Sequence, residues 1–108
     1  TTTTGTNPRS VAVYPTGRFA YIANLNSNTV QAYAINQSTG ALTNVGTTAT
    51  GANPLSVAVD PTGRFAYVAN NNSNTVQAYT INQSTGALTN VGTTATGANP
   101  RSVDVDPT

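Results

Sequence analysis

The chain contains no cysteine, histidine, lysine, glutamate, methionine or tryptophan. Each absence excludes something. Without cysteine there is no disulfide framework, and cysteine usage leaves the redox compartment open. With neither imidazole nor thiolate, the ordinary ligands of zinc and iron are missing, so no cofactor is expected. Charge is equally scarce: the 108 residues hold four arginines and three aspartates, a formal net charge of +1. No basic patch exists to release counterions from phosphates, which argues against nucleic acid as a partner. No apolar run approaches the ~20 residues of a membrane span, which argues against membrane insertion. What fills the polar positions is uncharged: 21 Thr, 14 Asn and 7 Ser. Such a surface holds water through hydroxyls and amides, without the charge repulsion that keeps most soluble proteins apart.

The dominant feature is a repeat. Asn-Pro pairs stand at residues 7, 53 and 99, a period of 46. Asn7–Ala52 and Asn53–Ala98 differ at five positions only: Arg9/Leu55, Tyr14/Asp60, Ile22/Val68, Leu25/Asn71 and Ala34/Thr80. The chain therefore divides into the tail of a preceding repeat (1–6), repeat 1 (7–52), repeat 2 (53–98) and the first strand of a third (99–108). One such unit cannot bury both of its faces, and arrays of this kind are stabilised by stacking.

Within repeat 1, Ser10–Tyr14 reads as a short strand ended by Pro15-Thr16-Gly17. In repeat 2 the same turn is Asp60-Pro61-Thr62-Gly63, with Asp first, Pro second and Gly fourth, as a type I turn prefers. Phe19–Ala23 is apolar at every position, the mark of a strand covered on both faces. An Asn-rich turn, Asn24–Asn28, leads into the alternating strand Thr29–Ile35, and Asn36–Gly40 leads into a Thr-rich strand over 41–48. The strands become less apolar from second to fourth, as they do from hub to rim in a radial blade. The fold class expected is all-β: antiparallel four-stranded meanders that are β-propeller blades, two of them plus an extra strand.

The residues SVAVDPTGRFAYVAN, followed by SNTVQAYTINQSTGALTNVG, resemble the repeat of the lactonase-type, or YVTN-repeat, seven-bladed β-propellers. Tyr67-Val68-Ala69-Asn70 and Tyr21-Ile22-Ala23-Asn24 match the segment that gives the group its name, with Ala in place of Thr. The resemblance covers essentially the whole chain and implies blade architecture. For function it implies sugar-lactone hydrolysis, a surface-layer role or an unassigned secreted repeat, because one fold hosts many activities.

Candidate site residues are few. Arg9 and Arg101 follow Asn-Pro at the expected mouth of the ring and are candidates for ligand binding on a loop face. Asp104 and Asp106, two apart on one strand, point to the same side and are weak candidates for a hard cation, which needs six to eight oxygen ligands. Asp60 and Asp106 precede Pro-Thr, where a carboxylate caps backbone N–H groups of the turn. Arg18 and Arg64 follow the turn glycine. The recurring Tyr21, Tyr33, Tyr67 and Tyr79 are expected to pack between blades with the hydroxyl reaching a rim partner. Asn36, Asn71 and Asn82 begin N-x-Ser triplets in turns and are candidate glycosylation sites.

Lactone hydrolysis requires a general base or metal-bound water and an oxyanion partner. With His and Glu absent, the composition points away from an enzyme. The expected function is a structural or scaffolding module, extracellular or cell-surface, that binds copies of itself through its blade faces. Head-to-tail contact of that kind closes into a ring or runs on as a filament. The alternatives are a fragment of a lactonase-like hydrolase and a propeller that binds glycan or peptide, with a glycan or cell surface as the further partner. The repeated piece at 1–16 and 93–108 fits either a window on a longer array or a displaced strand exchanged with a neighbour.

Overall fold

The computed structural model describes residues 8–97. They form eight strands: β1 (Pro8–Val13), β2 (Phe19–Asn24), β3 (Thr29–Ile35), β4 (Leu42–Ala49), β5 (Pro54–Val59), β6 (Phe65–Asn70), β7 (Thr75–Ile81) and β8 (Leu88–Ala95). Two antiparallel sheets result, ordered β1-β2-β3-β4 and β5-β6-β7-β8, which are blade 1 and blade 2. No helix is present among the described residues, and none therefore crosses a membrane.

Turn chemistry sets the hairpins. Gly17 N–H donates to the Tyr14 carbonyl at 2.7 Å and Gly63 N–H to the Asp60 carbonyl at 2.8 Å, closing the four-residue turns. In the β3–β4 hairpin Asn36 Oδ1 accepts from the backbone of Ser38 and Thr39 (2.9 and 3.1 Å), and in the β7–β8 hairpin Asn82 repeats this with Ser84 and Thr85. Gly40 and Gly86 end these turns at φ +79° and +82°, a region that L side chains enter at a cost. The first strand starts earlier than alternation suggests. Pro8 pairs with Asn24 and Ser10 with Ala23, so Arg9 is the extra residue of a β-bulge, as Leu55 is in β5.

The core lies between the sheets. Tyr14, Phe19, Tyr21, Ala23 and Val30 of blade 1 join Val57, Ala66, Val68, Tyr79 and Ile81 of blade 2 in one buried cluster. Full burial of an aromatic or branched aliphatic side chain stabilises by roughly 1.5–3 kcal/mol, so this junction holds the pair together. The Thr-rich outer strands β4 and β8 are mostly exposed.

Two tyrosines bolt the blades by hydrogen bonds. Tyr21 hydroxyl donates to the Gly86 carbonyl at 2.8 Å, and Tyr79 hydroxyl to the Ala49 carbonyl at 2.7 Å. Tyr14 and Gln83 meet side chain to side chain, and Arg18 Nη2 reaches the Gln83 carbonyl at 3.2 Å. The Arg18 guanidinium lies 5.5 Å from the Tyr14 ring centre and 5.2 Å from that of Phe19, a cation–π position over both.

Candidate functional site

The meander sorts its connections onto two rims. One carries the β1–β2 and β3–β4 turns with Arg18, Asp60 and Arg64. The other carries the Asn-rich β2–β3 turns and the Asn-Pro link, where the bulges at Arg9 and Leu55 sit. Bulges re-aim side chains and terminate pairing, which makes this second rim the candidate site.

Its chemistry is amide chemistry. Asn24 and Asn70, the last residues of β2 and β6, are fully buried, and Gln31 and Gln77 are nearly so. In blade 2, Gln77 Oε1 accepts from Gly51 N–H at 3.1 Å and from Asn70 Nδ2 at 3.3 Å. Asn70 Nδ2 also reaches Thr75 Oγ1 at 3.3 Å, as Asn24 Nδ2 does Thr29 Oγ1. Gly51 is required here by close approach: a Cβ would stand 2.9 Å from the Asn70 amide and from Ser73 Oγ. The link itself is held by Asn53 N–H to Asn28 Oδ1 at 3.0 Å. Asn28, Asn53 and Asn74 take positive φ (53°, 55°, 56°), a backbone region that asparagine tolerates better than most side chains.

Buried acceptors remain. The Oδ1 atoms of Asn24 and Asn70 and Oε1 of Gln31 have no hydrogen-bond partner among the described residues. Buried polar atoms are nearly always satisfied, so three of them at one rim mark a place built around polar groups. Gln77→Ala is expected to cost about 1–3 kcal/mol, because it strands the Gly51 N–H and removes one of the two acceptors of the Asn70 amide. Urea unfolding checks it, and a change under a few tenths would show that the network carries no stability.

The sequence candidates distribute unevenly. Arg9 is the bulged residue of β1 on the amide rim, whereas Arg101, Asp104 and Asp106 lie outside the described residues. Asn36 and Asn82 are exposed in turns of the opposite rim, and Asn71 is half-buried beside Asn70. Asp60 caps its own turn, accepting from Thr62 N–H at 3.0 Å. Arg64 donates to Thr62 Oγ1 at 3.2 Å and lies 5.5 Å from the Phe65 ring centre. No three His, Cys, Asp or Glu side chains gather among the described residues. Sequence reasoning missed the buried Asn24, Asn70, Gln31 and Gln77. The signal available was an amide at each strand end facing a Gly-x-Asn-Pro link.

Burial also acts on the phenols. Desolvation lifts the Tyr79 hydroxyl from 10.0 to about 12 and raises Tyr33. Tyr21 rises further, by desolvation first and then by the neighbouring Tyr14.

The family described as "Lactonase, 7-bladed beta-propeller" matches residues 1–59, more than half of the sequence. The chain belongs to that family. Solved relatives agree. A protein of Bacteroides fragilis, assigned provisionally as a 6-phosphogluconolactonase, superposes with TM-score 0.84 at 27% identity, over 88% of this chain and 27% of that one. A Lactobacillus plantarum protein gives TM-score 0.85 at 26% identity, over 94% of this chain and 32% of the other. The periplasmic gluconolactonase of Pseudomonas aeruginosa shares the fold, with TM-score 0.80 at 24% identity over 85% of this chain and 26% of that one. The chain thus spans about 27% of the length of the first of these relatives. No functionally curated protein matches the sequence.

These matches overturn one expectation. Composition pointed away from an enzyme, yet the family and its solved relatives are lactonases, which are enzymes. The residue-type argument fails for a physical reason. A propeller site is assembled by rim segments from several blades around one channel, so two blades need not contain its acid–base groups.

Proposed function

We propose that this chain contributes two blades to a sugar-lactone hydrolase, with the Asn-Pro rim of those blades forming part of the substrate-binding surface. The observation that carries the reading is the superposition on a provisional 6-phosphogluconolactonase over 88% of the chain at 27% identity. The rim chemistry suits the substrate class. A sugar lactone is uncharged at its ring and rich in hydroxyls, which neutral amides bind through paired donors and acceptors. Arg9 is the bulge residue of β1 on this rim, and arginine is a residue type suited to a phosphate or a developing oxyanion. The proton transfers of ring opening fall to other blades of the ring.

A pH-stat assay of the propeller that contains these blades tests this, with 6-phosphogluconolactone and gluconolactone as substrates. Acid release above the spontaneous rate is expected, reduced by Arg9→Ala more for the phosphorylated substrate. Release at the spontaneous rate for both would overturn the reading.

A second reading is favoured by a separate observation: the repeats also act as a self-assembling module. Its support is the near-identity of the two repeats, which differ at five positions in 46 and so present matching faces.

A further inference from the structure

We propose that Asn36 and Asn82 are acceptor sites for Asn-linked glycan and that Asn71 is not, although all three begin an Asn-x-Ser triplet. What separates them is which polar groups the fold leaves unused, a property independent of lactone hydrolysis.

Glycan transfer needs a carboxamide nitrogen free to bond to the sugar, and a hydroxyl two residues on that the transferase reads. In Asn82-Gln83-Ser84 the fold engages the groups around these two. Asn82 Oδ1 accepts from Ser84 N–H at 2.9 Å and from Thr85 N–H at 3.0 Å. Oxygen and nitrogen of a carboxamide lie on opposite sides of one planar carbon, so pinning Oδ1 to the backbone directs Nδ2 away from it. Asn82 N–H donates to the Ala87 carbonyl at 2.9 Å, and its own carbonyl accepts from Gly86 N–H at 2.8 Å. The middle residue turns inward: Gln83 Nε2 donates to the Gly63 and Ile81 carbonyls at 2.7 and 3.0 Å, and its Oε1 meets the Tyr14 hydroxyl. Asn82 Nδ2 and the Ser84 hydroxyl have no hydrogen-bond partner among the described residues, and both residues are exposed.

This exposure survives packing by a neighbouring blade. The turn of Asn82 already lies against blade 1, with Gly86 under Phe19 and Gln83 beside Tyr14 and Arg18. Repeat 1 carries the same triplet in the same form. Asn36 Oδ1 accepts from Ser38 and Thr39, Gln37 Nε2 donates to the Gly17 and Ile35 carbonyls at 3.1 and 2.9 Å, and Asn36 and Ser38 are exposed.

Asn71-Asn72-Ser73 is engaged differently. Ser73 Oγ accepts from Ala52 N–H at 2.7 Å, Asn71 N–H donates to the Asn53 carbonyl at 2.9 Å, and Asn71 is half-buried. Its hydroxyl and backbone tie the β6–β7 turn to the Asn-Pro link. The two open triplets stand on the opposite rim, so glycans there leave Arg9 and the buried amides uncovered. In the transfer, Nδ2 attacks the anomeric carbon of a lipid-linked oligosaccharide diphosphate. The N–C bond forms, the C–O bond to the diphosphate breaks with its electron pair, and one Nδ2 proton passes to a base of the transferase.

The test uses the folded 108-residue chain, a lipid-linked oligosaccharide diphosphate and a purified oligosaccharyltransferase that glycosylates the free peptide 80–88. Release by peptide N-glycosidase in heavy-oxygen water then marks each occupied asparagine as labelled aspartate, read by tandem mass spectrometry against a donor-free control. Label is expected at Asn36 and Asn82 and not at Asn71. Ser84→Ala should lose all label at Asn82 while keeping that at Asn36 and the urea midpoint, and Ser84→Thr should restore it. A folded chain unlabelled at both Asn36 and Asn82 overturns the proposal, and so does label at Asn71 equal to that at Asn82. Neither result bears on the lactonase reading.

Discussion

Gly63→Ala is expected to destabilise the chain by roughly 2–5 kcal/mol, while Gly17→Ala costs only about 1–2. The two glycines sit in the same heptapeptide, Pro-Thr-Gly-Arg-Phe-Ala-Tyr preceded by one residue that differs, and both take positive φ (+75° and +80°). The backbone penalty is therefore common to both. Their surroundings differ. A Cβ at Gly63 would stand 2.6 Å from Tyr14 Cζ, inside the ring that closes the blade junction, whereas Gly17 has nothing within 4 Å. The excess at Gly63 thus reports the cost of pushing Tyr14 off its seat. Paired urea titrations at a concentration where the chain is monomeric measure it. Equal losses in the two variants would show that Tyr14 moves aside without cost.

Tyr79→Ala is expected to lose about 3–5 kcal/mol, the usual penalty for emptying a buried aromatic site. Tyr79 is fully buried at the junction and donates to the Ala49 carbonyl, so Tyr79→Phe should lose only the hydrogen bond, about 0.5–1.5 kcal/mol. The hydroxyl also makes stability depend on pH. Burial raises its pKa from 10.0 to about 12, so the folded state favours the protonated phenol. That contribution is complete below pH 10 and is lost as pH climbs from 10 through about 12. Tyr21 and Tyr33, raised by the same desolvation, act in the same direction. Alkaline unfolding of the parent is therefore expected above pH 10, with Tyr79→Phe showing a shallower loss across that window. An identical alkaline profile in the variant would remove Tyr79 from the account.

Much of the fold was legible in the residues. The run Phe19–Ala23, apolar throughout, announced a strand covered on both faces, and β2 is buried at every position but one. Asn36 and Asn82 announced their turns because a short amide two residues ahead of a backbone N–H closes an Asx turn locally. The candidate site was less legible. A bulge at Arg9 and Leu55 arises from how β1 pairs with β2, and no local signal marks it. Exclusion of an enzyme from missing residue types misled, because the family's members are seven-bladed rings and two blades need not hold every residue type a propeller site uses.

The clearest division comes from residues that the repeat duplicates. Local sequence is nearly the same around Phe19 and Phe65 and around Tyr21 and Tyr67, where Ile22 becomes Val68, and the same around Gly40 and Gly86; it produced matching strands in the first two pairs and matching φ, +79° and +82°, in the glycines. Backbone geometry depends on a few neighbours along the chain, and the sequence alone determined it. Burial, hydrogen bonding and steric necessity depend on what lies across the sheet face. Phe19 and Tyr21 are buried because blade 2 covers them, Gly86 is indispensable because Phe19 fills its socket, and their twins differ only in lacking that neighbour. Which glycine is obligatory and which tyrosine is bonded was decided by tertiary contact.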